Sequence, residues 1–368
     1  MLLKGKKKSA YVLIALFVTA TAIFCGGWEL LRQRYVSPTP NFVASHLMNP
    51  NQTLATYLKP SVSQHPDIAA GKEALLESMG LWMQYNLNQD KQTEFDKSFG
   101  VVQTYFTAPE SYWYWKISPD GTSSVATNAL GDDLRLLNVL LKAHDAWGGD
   151  AYLEEARRIS DVLQRKAAVN GYMVDYHNFS DGSSASTLNL AYLDIQAFKR
   201  MNAYGLMDDA SLQRYTALLE NVPRDSVFYP QRYNVQTNRY ESDNEVNLTE
   251  QLIAAIHVRE AGDMPDKLLE FLKQHFVQDG RLAGRYDRAS AKATVSYESP
   301  AVYGLAAILF MESDDSKWAG KMIAKMLEFR DHDPAYPGGY VFDGDTHAFD
   351  NLFPLLAEQQ WKTDRRNR

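Results

Sequence analysis

The chain of 368 residues contains a single cysteine, Cys25. With no second thiol it can form no internal disulfide, so the part that follows must be stable through its core alone. Positive charge is also scarce, because 38 Lys and Arg face 45 Asp and Glu, for a net charge of −7. Residues 1–34 hold six of those cations and one Glu, a net +5, which leaves −12 on the remainder. Nucleic acid is excluded as a partner by that balance, since its binding depends on neutralising phosphates with cations. The eight histidines show no His-x-x-x-His spacing, so no metal site is expected. No Gly-x-Ser-x-Gly elbow, phosphate loop or dinucleotide fingerprint is present, and no cofactor is expected. Asp132-Asp133 lacks the third aspartate of a prenyl-diphosphate motif. The absence of a short repeat of fixed period argues against a solenoid.

What the chain does have begins with Lys4, Lys6, Lys7 and Lys8, followed by an uncharged run from Ser9 to Trp28. As a helix rising about 1.5 Å per residue, that run spans about 30 Å, the thickness of a bilayer core. The lysines on its short side predict a cytoplasmic N-terminus, a single membrane pass over residues 1–30, and an exported remainder. A cleaved signal peptide with a secreted product is the competing reading, although no clear Ala-x-Ala site follows the run. Cys25 reads as a small apolar residue of that helix, because Phe24 occupies a position where a lipobox wants a small side chain. Pro38, Pro40, Pro50 and Pro60, among polar residues, predict an extracytoplasmic stalk over 31–65.

With 45% hydrophobic residues, the rest can build a large core. Apolar residues at three- and four-residue spacing predict helices near 66–87, 91–107, 130–147, 149–169, 185–203, 208–221, 243–261, 264–277, 298–313, 315–330 and 346–360. Those starting near 66, 130, 185, 243, 298 and 346 are apolar on nearly every side. Those near 149, 208, 264 and 315 carry charge on one face, as in Tyr152-Leu-Glu-Glu-Ala-Arg-Arg-Ile159. Buried helices inside and half-solvated ones outside predict an all-α, α/α-barrel domain over 66–362, monomeric, with aromatic residues collected in its connections. Ser111-Tyr-Trp-Tyr-Trp115, Val174-Asp-Tyr-His177 and Tyr336-Pro-Gly-Gly-Tyr340 are such connections.

Three acidic positions fall where inner helices meet those connections. Glu77 lies within Ala74-Leu-Leu-Glu77-Ser-Met-Gly80-Leu-Trp82, which reads as the middle of a buried helix. A buried carboxyl is paired or protonated, and a protonated one is what a general acid near neutral pH requires. The competing reading is a structural ion pair with an arginine such as Arg135 or Arg285. Gly80, one turn on, leaves room for something bulky to approach. Asp132 and Asp133 open one predicted helix and Asp243 another, where helix capping competes with chemistry; Ser242 and Glu245 have the spacing of a capping box. Two carboxyls facing each other across an aromatic groove are the apparatus of glycoside hydrolysis. Trp113, Trp115, Tyr192 and Tyr297 are the candidates for lining that groove.

Leu75-Leu-Glu77-Ser-Met-Gly80-Leu-Trp-Met, followed by Gln92-Thr-Glu-Phe95-Asp, resembles the glutamate-bearing segment of glycoside hydrolase family 8. Asn128-Ala-Leu-Gly-Asp-Asp133-Leu-Arg is similar to its second acidic block, and Leu188-Asn-Leu-Ala-Tyr192-Leu-Asp194 to its third landmark. The resemblance is greatest to bacterial, membrane-anchored exopolysaccharide hydrolases. It implies an (α/α)6 barrel that cleaves a β-linked, β-1,4-glucan-like polysaccharide internally with inversion. Glu77 would be the general acid and Asp243 the base. Asp133, then Asp132, would hold the sugar beside the cut, with Asp194 also on the substrate. The family pattern Asp-Ala-x-Arg-x-x-x-Arg around the base is not matched, since Asp243-Asn-Glu-Val-Asn-Leu-Thr has neither arginine. A barrel that binds glycans without cleaving them, as part of a polymer synthesis or export machine, is the alternative.

Overall fold

The computed structural model describes residues 37–366 except Gln64 and Pro66. The predicted membrane segment with Cys25, and the first part of the predicted stalk, lie outside the described residues. Among the described residues no helix is long and apolar enough to cross a membrane. Twelve α-helices are found there: α1 (Thr39–Phe42), α2 (Leu76–Asn88), α3 (Gln92–Val101), α4 (Leu130–Trp147), α5 (Asp150–Arg165), α6 (Ile195–Ala203), α7 (Asp209–Glu220), α8 (Leu248–Glu260), α9 (Asp266–Asp279), α10 (Pro300–Glu312), α11 (Ser316–Leu327) and α12 (Phe349–Arg366).

Helices α2, α4, α6, α8, α10 and α12 form the inner ring, each packed on the next, with α12 closing onto α2. Outside them α3 packs on α2, α5 on α4, α7 on α6, and α11 on α10. The partition follows side-chain character. In α10 every residue from Pro300 to Ala307 is buried, with Pro300 in the first turn, where a missing amide costs nothing. A Cβ on Gly304 would stand 3.1 Å from the backbone of Phe353 and Pro354, so glycine lets α10 and α12 approach backbone to backbone. In α5, by contrast, Tyr152, Ala156, Ile159 and Leu163 face inward while Glu154, Arg157 and Asp161 face water.

Short antiparallel strands tie the connections together. They are β1 (Ala74–Leu75) with β2 (Lys116–Ile117), β3 (Ala168–Val169) with β4 (Tyr172–Met173), β5 (Thr187–Asn189) with β6 (Arg232–Asn234) and β7 (Arg239–Glu241), and β8 (Glu245–Asn247) with β9 (Arg285–Asp287). Three helices therefore start later than the sequence predicts, at Leu76, Ile195 and Leu248, because β1, β5 and β8 take their leading residues. Strands of two or three residues are too short to show the alternation that betrays a strand.

The stalk boundary also moves. From Thr39 onward the chain is part of the barrel's compact unit. Phe42, Leu47 and Leu54 are buried in the common core, α1 packs on α12, and bridges join Ala55 to Ala74 and Tyr57 to His347. Pro50 and Pro60 lie in the connections of this packed segment rather than in a linker.

Candidate active site

Strand β1 pairs with β2, the Leu76 amide donates to Trp115 O at 3.0 Å, and the chain then turns into α2 with Glu77 in the first turn. Glu77 is thus not the mid-helix residue expected from the sequence. Its carboxyl sits at the positive end of a helix, where negative charge is favoured. The side chain is 24% exposed and so reaches open space, and Arg135 Nη2 lies 3.7 Å from its Oε1. A Cβ on Gly80 would stand 3.3 Å from Arg135 Cδ, so the bulky group that Gly80 admits is the stem of this arginine. Burial raises the Glu77 pKa and the Arg135 charge draws it back. Asp132 accepts the Glu77 backbone N–H, and burial together with the Glu77 charge holds its carboxyl well above the usual range. Two carboxyls in one poorly solvated space do not both ionise cheaply, so the pair keeps a proton toward neutral pH.

Asp133 is placed differently from the expectation. It is 1% exposed and accepts a 2.7 Å hydrogen bond from Asn128 Nδ2, while Asn128 Oδ1 accepts from the His177 amide. Burial pushes its carboxyl up to about 8, against the lowering effect of Asn128. Successive helical residues point about 100° apart, so only one of two neighbouring aspartates can face Glu77. That one is Asp132.

Asp243 does not open a helix. It lies in the loop between β7 and β8, and α8 is capped instead by Asn247, whose side chain accepts from Thr249 N at 3.0 Å. Glu245 pairs with Arg285 at 2.9 Å rather than closing a box with Ser242. The Asp243 side chain is 47% exposed and takes both guanidinium nitrogens of Arg232, at 2.9 and 3.2 Å, while Arg288 Nε donates to its backbone oxygen at 2.7 Å. The arginines missing from the Asp243 segment are thus supplied by β6 and by the turn after β9.

Between Asp243 and Glu77 runs a string of acids that the sequence did not single out. Burial raises Asp175 and Glu250, with the Glu250 charge adding to the shift of Asp175 and the Asp243 charge to that of Glu250. Asp175 is held by Asn189 N at 2.6 Å and Thr187 Oγ1 at 2.7 Å. The Tyr192 hydroxyl is held far above its ordinary value by burial, then by Asp132, Glu77, Asp175 and Glu250, and its ring lies among those four carboxyls. A Cβ on Gly131 would meet Tyr192 Cδ1 at 2.5 Å, so the ring rests directly on that glycine.

Of the other aromatic candidates, Trp115 is half-buried beside the start of α2. Tyr297 is 52% exposed, lies over Gly284, and lines an open cleft of about 590 Å³ at the starts of α8, α10 and α12. Tyr57, Phe342, His347 and Asp350 line it too. Trp113 does not reach a groove. It is fully buried, and its indole N–H donates to Glu155 Oε1 of α5 at 3.1 Å. Asp194 likewise stands apart, capping α6 by accepting from Ala197 N at 2.9 Å. It faces a second cavity of about 510 Å³ along the barrel axis, lined by later turns of the inner helices at Gln84, Lys142, His257 and Glu312. Arg135 and Tyr192 line that cavity as well, so they wall it off from the acids above. Among the described residues one cluster, Asp194 with His257 and Glu260, has the make-up of a metal site.

No family model matches the chain. It is 33% identical over 328 residues to "Putative lipoprotein YdaJ" of Bacillus subtilis (strain 168), covering 88% of this chain and 87% of that protein. Among solved structures it superposes on an alpha-amylase from Clostridium perfringens with TM-score 0.78 and 24% identity, over 88% of this chain and 96% of the other. A xylanase of glycoside hydrolase family 8 from Teredinibacter turnerae, in complex with xylohexaose, gives TM-score 0.61 and 14% identity over 91% and 94%.

Proposed function

Because the chain belongs to the family of YdaJ and has the fold of the family 8 glycoside hydrolases, we propose that it is a glycoside hydrolase that cleaves a β-linked bacterial exopolysaccharide internally with inversion. The observation that carries this reading is Glu77, a carboxyl in contact with open space, flanked by Arg135 and sharing a proton with Asp132. Glu77 gives its proton to the glycosidic oxygen as the C–O bond breaks. Asp243, open to water and oriented by Arg232, takes a proton from the water that attacks the anomeric carbon from the other side. Glu77 then recovers a proton from solvent and Asp243 releases the one it took. Asp132 accepts hydrogen bonds from the sugar beside the cut, and Trp115, Tyr192 and Tyr297 offer ring faces to the polymer.

The test is an assay for new reducing ends on β-1,4-glucan, xylan, starch and the host's own polymer. Wild type should release ends from a β-linked polymer, with rates lower by about 10²- to 10⁴-fold in Glu77→Gln and Asp243→Asn, and NMR of the first products should show the inverted anomer. Release from starch alone would move the substrate to the α-linked class of the Clostridium neighbour. Binding without release in any variant would favour the glycan-binding alternative. We also propose that the protein is held at the outer face of the cell membrane by its N-terminal segment, a reading to which the lipoprotein name of the relative lends support. Carbonate extraction of the full chain, with and without Cys25→Ala, separates a spanning helix from a lipid on that cysteine.

A further inference from the structure

The axial cavity plays no part in the reaction above, and its chemistry is distinct. Its carboxyls Asp194, Glu260, Glu312 and Asp364 outnumber its cations Arg135 and Lys142. Three side chains in it converge: Asp194 from the start of α6, and His257 and Glu260 one turn apart on α8, with one candidate ligand atom from each lying within 4.8 Å of the others. His257 Nε2 faces the backbone oxygen of Ala191 at 3.3 Å, which leaves Nδ1 turned toward Glu260 Oε2 at 3.1 Å. That is the arrangement of a ligating imidazole, whose second nitrogen is fixed by a carbonyl so that the first presents its lone pair. Two ligands at about 2.1 Å from an ion and roughly at right angles stand about 3 Å apart, and opposed ligands about 4.2 Å, so only a small closure is needed.

The surroundings support the cluster independently. Asn138, 6% exposed and lining the same cavity, donates from Nδ2 to Asp194 Oδ2 at 3.2 Å, yet its Oδ1 has no hydrogen-bond partner. Glu312 Oε2, on the neighbouring helix α10, is also buried and unpartnered. Orphaned acceptors in a buried polar cavity call for donors, and an ion held by three protein ligands brings them as coordinated water. Thr363, exposed at the rim, marks a way in. We propose that Asp194, His257 and Glu260 form a binding site for one divalent transition-metal ion. Two carboxylates and one imidazole suit Zn²⁺ or Mn²⁺. The ion would clamp the start of α6 to α8 directly beneath Tyr192, whose neighbour Ala191 holds the histidine. The sequence hides this site because only His257 and Glu260 are near in sequence, and Asp194 arrives from sixty-three residues earlier.

The full chain, stripped with a chelator and equilibrated separately with Zn²⁺ and Mn²⁺, should retain close to one equivalent of one of them by elemental analysis. Its thermal midpoint should rise with the ion. His257→Gln and Asp194→Asn should each lose that equivalent, while Glu77→Gln keeps it. Substitution with Co²⁺ should give a d–d spectrum in wild type that is absent from His257→Gln, which reads ligation directly. Wild type binding far below one equivalent of either ion overturns the proposal without recourse to any variant, as does undiminished binding in a folded His257→Gln protein. An NMR titration in which His257 stays protonated and is unmoved by added metal would also overturn it, leaving an imidazolium clasped by two carboxylates.

Discussion

Arg135 reaches Glu77 at 3.7 Å with its stem laid against Gly80, so the guanidinium's position depends on a residue with no side chain. Arg135 is the group that holds down the proton affinity of the proposed acid. Removing it as Arg135→Met raises the Glu77 pKa further. A general acid works only while protonated, so the alkaline limb of kcat/KM should move up by about one pH unit. Gly80→Ala, which crowds Arg135 Cδ, should shift the limb in the same direction by less.

Asp132→Asn should move that limb the other way. The variant removes the neighbouring carboxyl with which Glu77 shares a proton, so Glu77 ionises at lower pH and activity is lost earlier on the alkaline side. A pH profile in which both variants shift the limb upward would contradict the pairing.

Asp133 is a stability group rather than a reacting one. Its folded-state pKa, about 8 against an ordinary 3.8, means that the folded protein holds the proton more tightly than the unfolded chain. The associated stability is present in full below about pH 4 and lost as pH rises through 8. Asp133→Asn cannot ionise. Compared by urea unfolding from pH 5 to 8, the variant should gain on wild type by at most ~1.4 kcal/mol per pH unit.

The two tryptophans should separate cleanly. Trp113→Phe leaves the Glu155 carboxylate without its indole partner inside the core, at a cost of about 1–3 kcal/mol, with kcat and KM unchanged. Trp115→Ala and Tyr297→Ala should instead raise KM for long chains by several-fold while leaving the thermal midpoint nearly in place. Chemical denaturation and steady-state kinetics on the same preparations decide the matter.

The layering was readable from the chain because it rests on composition alone. Most inner helices are apolar almost all round, although α6 exposes Lys199 and α12 ends in polar turns, and most outer ones carry a charged face. That Glu77 sits in a special environment was readable too, since a lone Glu among Leu, Met and Trp demands an explanation, and Arg135 and Asp132 lie beside it. What the chain concealed were features set by short strands and by helix phase. The residues of β5 and β8 looked like the beginnings of helices, so Asp243 was expected at a helix start and in fact lies in a loop. Asp132 and Asp133 are adjacent in sequence, and only the rotation of α4 separates their roles. Trp113 and Trp115 would share one face of a regular strand, but the chain bends at Trp115, which leaves one in the core and the other half-open. Asp175 and Arg232 come from connections, and Glu250 from the first turn of α8, and their meeting point depends on β5, β6 and β7 pairing.

Tyr192 rests on Gly131 and, with Arg135, forms the partition between the acids and the axial chamber. Trimming Tyr192 to alanine would open a tunnel along the barrel, admit bulk water to Glu77 from behind, and trade the acid's dry surroundings for solvent without disturbing any helix.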